Sequence, residues 1–218
     1  MNGSAAIESP PLRRALVSSL PFLFLFLGMI LLLLAHRTVL PDRAISEALS
    51  NLPTPFYYLW SIVCRSGNVE VELPVLLFAG AIIWRRRGED RPLLLFFFAA
   101  LFVGTLFEHL LKMNLPRYAP TREFQHDPLN GWEIFFPAHF HVVSSFPSGH
   151  TFRVLLILLF VDRYYPRLRF AVLAWALLIM AGVVALGWHW SSDVIGSVLL
   201  VLILRPWIDF IATHQQKN

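Results

Sequence analysis

Charge and cysteine are what this sequence has least of. Only 15% of its 218 residues are Asp, Glu, Lys or Arg, against 56% hydrophobic and 14% aromatic. That is too little polar surface to cover a soluble domain of this size, so the chain reads as an integral membrane protein. A single cysteine, Cys64, excludes an internal disulfide framework and says little about redox compartment. Internal repeats are missing, and so are low-complexity tracts other than the leucine and phenylalanine runs, which makes residues 1–218 one membrane domain. No basic stripe interleaved with aromatics is present, and nucleic acid is thereby excluded as a partner.

What is there instead is a series of apolar runs. Residues 15–35 carry no charge and match the roughly 20 residues that cross a bilayer core as a helix. The run exceeds a signal-peptide core and no small-residue cleavage site follows, so it is expected to be a retained first span. Further spans are expected at about 69–84, 92–112, 148–163, 169–188 and 191–212. The second holds Glu72 and Pro74, the fourth holds His150 and Arg153, and Arg205 interrupts the last. The expected fold is all-α: six transmembrane helices with a loop and an amphipathic helix over an outer-face site.

The distribution of cations orients such a bundle, because Lys and Arg accumulate in short cytoplasmic loops. Six spans put Arg13, Arg14, Arg85, Arg86, Arg87, Arg91, Arg163, Arg167, Arg169 and Lys217 on one side. Both termini are then cytoplasmic, and the net charge of +4 is a topological signal. The opposite face receives residues 37–70, the long loop 112–147 and the turn at His189. Residues 42–52 have Ile45, Leu49 and Leu52 at helical spacing, and residues 55–60 cluster aromatics, a pattern expected of a surface-lying helix with an aromatic anchor. The loop contains Trp132, Phe135, Phe136 and Phe140 and is expected to pack over the outer mouth of the bundle.

Three polar clusters fall on that face. In SSFPSGHTFR, 144–153, Pro147 suits the first turn of a helix, with Ser144 or Ser145 as cap. The free amides of Ser148, Gly149 and His150 would then form an anion-binding helix terminus. Gly149 lets an anion approach the backbone, the Ser148 hydroxyl adds a donor, and His150 can deliver a proton near neutral pH. In GWHWSSDVIG, 187–196, His189 and Asp193 are spaced to share a helix face; the carboxylate can fix the imidazole tautomer and leave Nε2 free as nucleophile or ligand. In EHLLKMNLPRYAPTR, 108–122, Lys112, Arg117 and Arg122 are cations on the side where they are disfavoured, with Glu108 one turn before Lys112.

Lys112, then PSGH at 147–150, then His189 and Asp193, in this order on helices of a six-span chain, resemble the type 2 phosphatidic acid phosphatases of the bacterial, integral-membrane type. The resemblance covers about residues 45–196 and includes SGN at 66–68. It implies a two-step phosphoryl transfer needing no metal and no cofactor. On that basis His189 is the nucleophile that forms a phosphohistidine, Asp193 orients it, and His150 protonates the leaving oxygen and later activates water. Ser148, Gly149 and Lys112 hold the phosphoryl oxygens. An anion cradle, a tautomer-locked imidazole and a separate proton donor are the parts that such a reaction needs.

The sequence departs from the family pattern at two cations. The first motif has Arg-Pro after Lys and six residues, where this chain has Ala119-Pro120. The third has Ser-Arg before the nucleophile, where Gly182-Val183 stand. Each cationic clamp on a phosphoryl group is worth a few kcal/mol, so replacements are expected. Arg153, one turn after His150 and costly within a span unless an anion is near, is the candidate for the third motif, and Arg117 or Arg122 for the first.

The expected function is hydrolysis of a lipid-linked phosphate, with undecaprenyl diphosphate, phosphatidate, phosphatidylglycerol phosphate and lipid A phosphates as candidate substrates. The expected setting is a bacterial inner membrane, with the site facing the periplasm and the bilayer and its lipid phosphate as the partners; no obligatory protein partner is inferred. A lipid-to-lipid phosphotransferase would use the same residues. A non-catalytic lipid-phosphate binder accords with the missing arginines but not with retention of the whole His150, His189 and Asp193 set. A metal site built from His109, His126, His139, His141, His150 and His189 lacks any compact zinc spacing.

Overall fold

A computed structural model describes residues 11–129 and 144–215. The aromatic segment with Trp132, Phe135, Phe136, His139, Phe140 and His141, and Lys217 in the tail, lie outside the described residues. Among the described residues the chain is helical with no strand: α1 (Pro11–Leu34), α2 (Val39–Leu49), α3 (Thr54–Ser66), α4 (Val69–Arg86), α5 (Arg91–Asn114), α6 (Gly149–Tyr164), α7 (Arg169–Ala185) and α8 (Ser191–Gln215).

A helix occupies each of the six expected segments, but the count of membrane-spanning helices is corrected. Among the described residues four are long and apolar enough to cross a bilayer, α1, α5, α7 and α8, or up to five if α3 and α4, bent by 46° at their junction, form one span. With 16 residues, α6 is about 24 Å long at 1.5 Å per residue, short of a ~30 Å hydrocarbon core. It is also wrapped by protein: Phe152, Val154, Leu156 and Phe160 are buried, and it packs on α5, α7 and α8. A helix shielded by its neighbours needs no apolar girdle, which lets α6 carry His150 and Arg153. By contrast, α1 exposes Phe24 and Leu31, α5 exposes Phe102 and α7 exposes Phe170, side chains suited to lipid.

The surface helix expected at 42–52, with its aromatic anchor, differs in part: Ile45, Phe56 and Tyr58 are exposed, but other residues turn inward. Asp42 and Ser46 of α2 are buried. On α3, Tyr57 faces inward, donating its hydroxyl to the Leu49 carbonyl and accepting the Leu52 N–H, and it packs on His126 at 5.0 Å between ring centroids. Tyr57 and Trp60 therefore belong to the core between α3 and α7, with Cys64, Ile179 and Val183, whereas Phe56 and Tyr58 are exposed. The sequence alternation had pointed only to lipid because the partner helix is more than a hundred residues away.

Helix direction then gathers the polar residues. The C-termini of α3, α5 and α7 and the N-termini of α4, α6 and α8 carry Arg65, Lys112, His189, Asn68, Ser148 and Asp193, whereas Arg85, Arg86, Arg91, Arg163 and Arg169 sit at the opposite ends of α4, α5, α6 and α7.

Candidate active site

The start of α6 differs from the expected capping scheme. Ser148, not Ser144 or Ser145, is the N-cap, its hydroxyl accepting the Thr151 N–H at 3.4 Å, and Pro147 precedes the helix. The Ser148 N–H donates to the Asp193 carbonyl at 3.2 Å, and the Ser197 hydroxyl donates to the Ser148 carbonyl at 2.8 Å, which rivets this turn to α8. What remains open at the terminus are the amides of Gly149 and His150, which a helix cannot satisfy internally.

His189 does not lie in α8; it stands in the turn that delivers the chain from α7. Gly187 adopts φ +70°, the left-handed position that ends a helix, with its N–H bonded to the Val184 carbonyl and those of Trp188 and His189 to the Val183 carbonyl. The Asp193 carboxylate accepts the Trp190 N–H at 2.9 Å, one half of a capping box, and its Oδ2 is 3.4 Å from His189 Nδ1. Both residues are buried, and His189 Nδ1 has no aligned hydrogen-bond partner. His150 faces His189 with ring centroids 6.4 Å apart, and its Nε2 is 2.9 Å from Asn68 Oδ1.

Every residue of the 66–68 tripeptide is used. Ser66 accepts the indole N–H of Trp175, the Gly67 carbonyl accepts Arg153 at 3.2 Å, and Asn68 orients His150. Arg153 donates through Nε to Glu72 at 2.8 Å. A Cβ on Gly149 would lie 2.9 Å from Arg153 Nη1, so one guanidinium nitrogen borders the cradle while the other two are held.

Arg117 is bound by Asp42, donates to the Ser192 hydroxyl at 3.1 Å, and brings Nε within 3.9 Å of Asp193 Oδ1. Arg122 lies exposed in the short 3-10 turn Arg122–Phe124, and the structure joins it to none of the other candidates. Lys112 pairs with Glu108. The family arginine absent at position 183 has no room: Val183 is fully buried, and Gly182 packs against Cys64 and Trp60.

Sequence reasoning missed Asp42, Glu72, Arg65 and Asp127. Arg65 donates to Asp127 Oδ2 at 3.0 Å and to the Leu129 carbonyl at 2.7 Å, and lies over the Trp188 ring at 5.6 Å. Burial alone would raise the Asp127 carboxyl, but hydrogen bonds from Arg65, Ser61 and the Leu129 N–H hold it below its ordinary range. Buried Asp42 and Glu72 were signalled only as charges inside apolar patterns. Among the described residues no group of three or more His, Cys, Asp and Glu converges as a metal site.

A family model described as the PAP2 superfamily matches residues 93–208, a stretch that contains Lys112, Ser148, His150, His189 and Asp193. No curated protein matches the chain. Among solved structures, the first transmembrane PAP2 type phosphatidylglycerolphosphate phosphatase from Bacillus subtilis is similar with a TM-score of 0.67 and 22% sequence identity, over 92% of this chain and 96% of that one. At that identity the likeness shows a shared fold.

Proposed function

The chain belongs to the PAP2 superfamily and is a multi-pass membrane lipid phosphatase, and from that premise we propose that it hydrolyses its lipid phosphate through a phosphohistidine on His189. The observation that carries the reading is the facing pair: His150 and His189, 6.4 Å apart, with Asp193 behind one ring and the open turn of α6 beside the other.

With Nδ1 turned to Asp193, His189 keeps Nε2 for attack on phosphorus. As the N–P bond forms, the bond from phosphorus to the lipid oxygen breaks, and His150 gives that oxygen its proton. Water then attacks phosphorus, His150 takes the water proton, and the N–P bond breaks to release phosphate. Lys112, Ser148 and the Gly149 amide hold the phosphoryl oxygens; Arg153 stands in for the third-motif arginine through its free nitrogen, and Arg117 for the first by facing Asp193. Residues 1–218 act as one domain, with no metal and no cofactor taking part. Arg122, exposed, has no role in this scheme.

Phosphatidylglycerol phosphate joins undecaprenyl diphosphate, phosphatidate and lipid A phosphates among the candidate substrates, and its place is supported by the fold shared with the B. subtilis enzyme. The Arg-bearing helix ends favour a cytoplasmic side opposite the site, hence an active site facing the periplasm of a bacterial inner membrane. The test is phosphate release from this panel in detergent, with His189→Ala, vanadate and EDTA in parallel. Release that the mutation abolishes, vanadate blocks and EDTA spares is expected; transfer of phosphate to a second lipid, seen by product analysis, would replace hydrolysis with phosphotransfer.

A further inference from the structure

Glu108 stands where an anion-binding site should have no carboxylate. It lies one turn before Lys112 on α5, is 4% exposed, and its Oε1 accepts from the Lys112 ammonium. Its Oε2 is buried with no hydrogen-bond partner. Both oxygens press on the first residue of α6: a Cβ on Gly149 would lie 2.5 Å from Oε1 and 2.7 Å from Oε2. A buried, half-satisfied carboxylate is therefore aimed at the open turn of a helix of 16 residues, beside the cation assigned to phosphate.

From this arrangement we infer that Glu108 is an internal competitor of the substrate phosphoryl group, holding Lys112 in the empty site and surrendering it when a tetrahedral oxyanion arrives. The inference rests on the phosphate cradle proposed above. The ammonium has three donors. While Glu108 engages it across a low-dielectric gap, binding a phosphate requires either exchange of partners or coexistence of two anions around one lysine. Both oppose binding, since like charges a few ångströms apart repel strongly in such a medium. Glu72 is the other carboxylate nearby, but Arg153 already engages it at 2.8 Å, so its charge is matched within its own pair.

A supporting carboxylate and a competing one predict opposite outcomes for one substitution. If Glu108 only braced Lys112, Glu108→Gln would weaken phosphate binding. As a competitor it does the reverse: the apparent inhibition constants for vanadate and inorganic phosphate fall about tenfold or more in Glu108→Gln, the direction set by the lost repulsion. Glu108→Asp, which keeps the charge, does not tighten binding. Difference infrared spectra of wild-type protein labelled with carbon-13 glutamate provide a second readout that needs no variant to fold: vanadate shifts a glutamate carboxylate band as Lys112 changes partner. Unchanged or weakened oxyanion inhibition in a folded Glu108→Gln protein, or a glutamate band that vanadate leaves in place, overturns the inference. Loss of vanadate inhibition in the wild type would instead overturn the cradle and the phosphohistidine reading beneath it.

Discussion

The Asp42 carboxylate accepts both the backbone N–H and the hydroxyl of Ser192, at 2.8 and 2.7 Å, across 150 positions of sequence. It also accepts the Ser191 hydroxyl at 2.6 Å and binds Arg117. A charge at the start of α2 thus caps the N-terminus of α8, the helix that carries Asp193, and fixes a guanidinium on the far side of that aspartate. The polar end of the bundle is held by carboxylates from three other helices, Asp42, Glu72 and Glu108, each paired with a cation beside a proposed reacting residue.

Replacing Asp42 by Asn keeps the shape but leaves Arg117 buried with half its partner. Breaking a buried pair in this way costs about 3–5 kcal/mol. Asp42→Asn is expected to lower the unfolding midpoint in detergent clearly and to reduce kcat, while Asp42→Glu restores part of both. An unchanged midpoint would show that the Ser191 and Ser192 contacts alone hold α8.

Arg153 separates stability from binding. Its Nε and one terminal nitrogen serve Glu72 and Gly67, so Arg153→Lys loses the fork and leaves Glu72 short of a donor. Stability should drop by about 1–3 kcal/mol for the lost charge-assisted bond. If the remaining nitrogen holds a phosphoryl oxygen, KM for the lipid phosphate also rises several-fold; a stability loss with kcat and KM unchanged would confine Arg153 to the Glu72 pair.

Asp127 gives a pH test. Its pKa is lowered in the folded protein, so the stabilisation is complete above the unfolded value near 3.8 and is lost as pH falls through the folded value below it. Asp127→Asn should melt earlier than wild type at pH 7, with the difference shrinking below about pH 4. A constant difference across that range would mean that the tether to Arg65 contributes through shape alone.

How much was legible follows from the range of each interaction. That His150, His189 and Asp193 lie together was signalled by short motifs, each within a few residues, and the six apolar runs could be read because lipid exposure writes itself into composition. That α6 is enclosed by α5, α7 and α8 could not be read, because such packing is a tertiary fact with no local signal. The cap of α6 went to Ser148 because its carbonyl and amide are claimed by Ser197 and Asp193, again from another helix. Asp42 is the clearest case. In sequence it is one polar residue at a helix start, and only the fold brings Ser191, Ser192 and Arg117 to it.

Gly187 tests whether the turn that presents His189 is held by backbone conformation or by space. Its φ of +70° alone would make Gly187→Asn much milder than Gly187→Ala, since Asn visits the left-handed region several-fold more readily than other residues. The surroundings argue otherwise: a Cβ here would overlap the carbonyl oxygen of Phe124 and sit 2.9 Å from the Gln125 Cα. The 3-10 turn that ends at Phe124 is pinned in turn, because the His126 N–H donates to the Leu186 carbonyl at 3.1 Å, so it cannot retreat without breaking the contact that closes α7. Both variants should therefore lose kcat by similarly large factors, with His189 displaced from Asp193 and the phosphohistidine yield reduced. Near-normal turnover in Gly187→Asn beside a crippled Gly187→Ala would assign the glycine to its φ alone and show that the Phe124 segment yields.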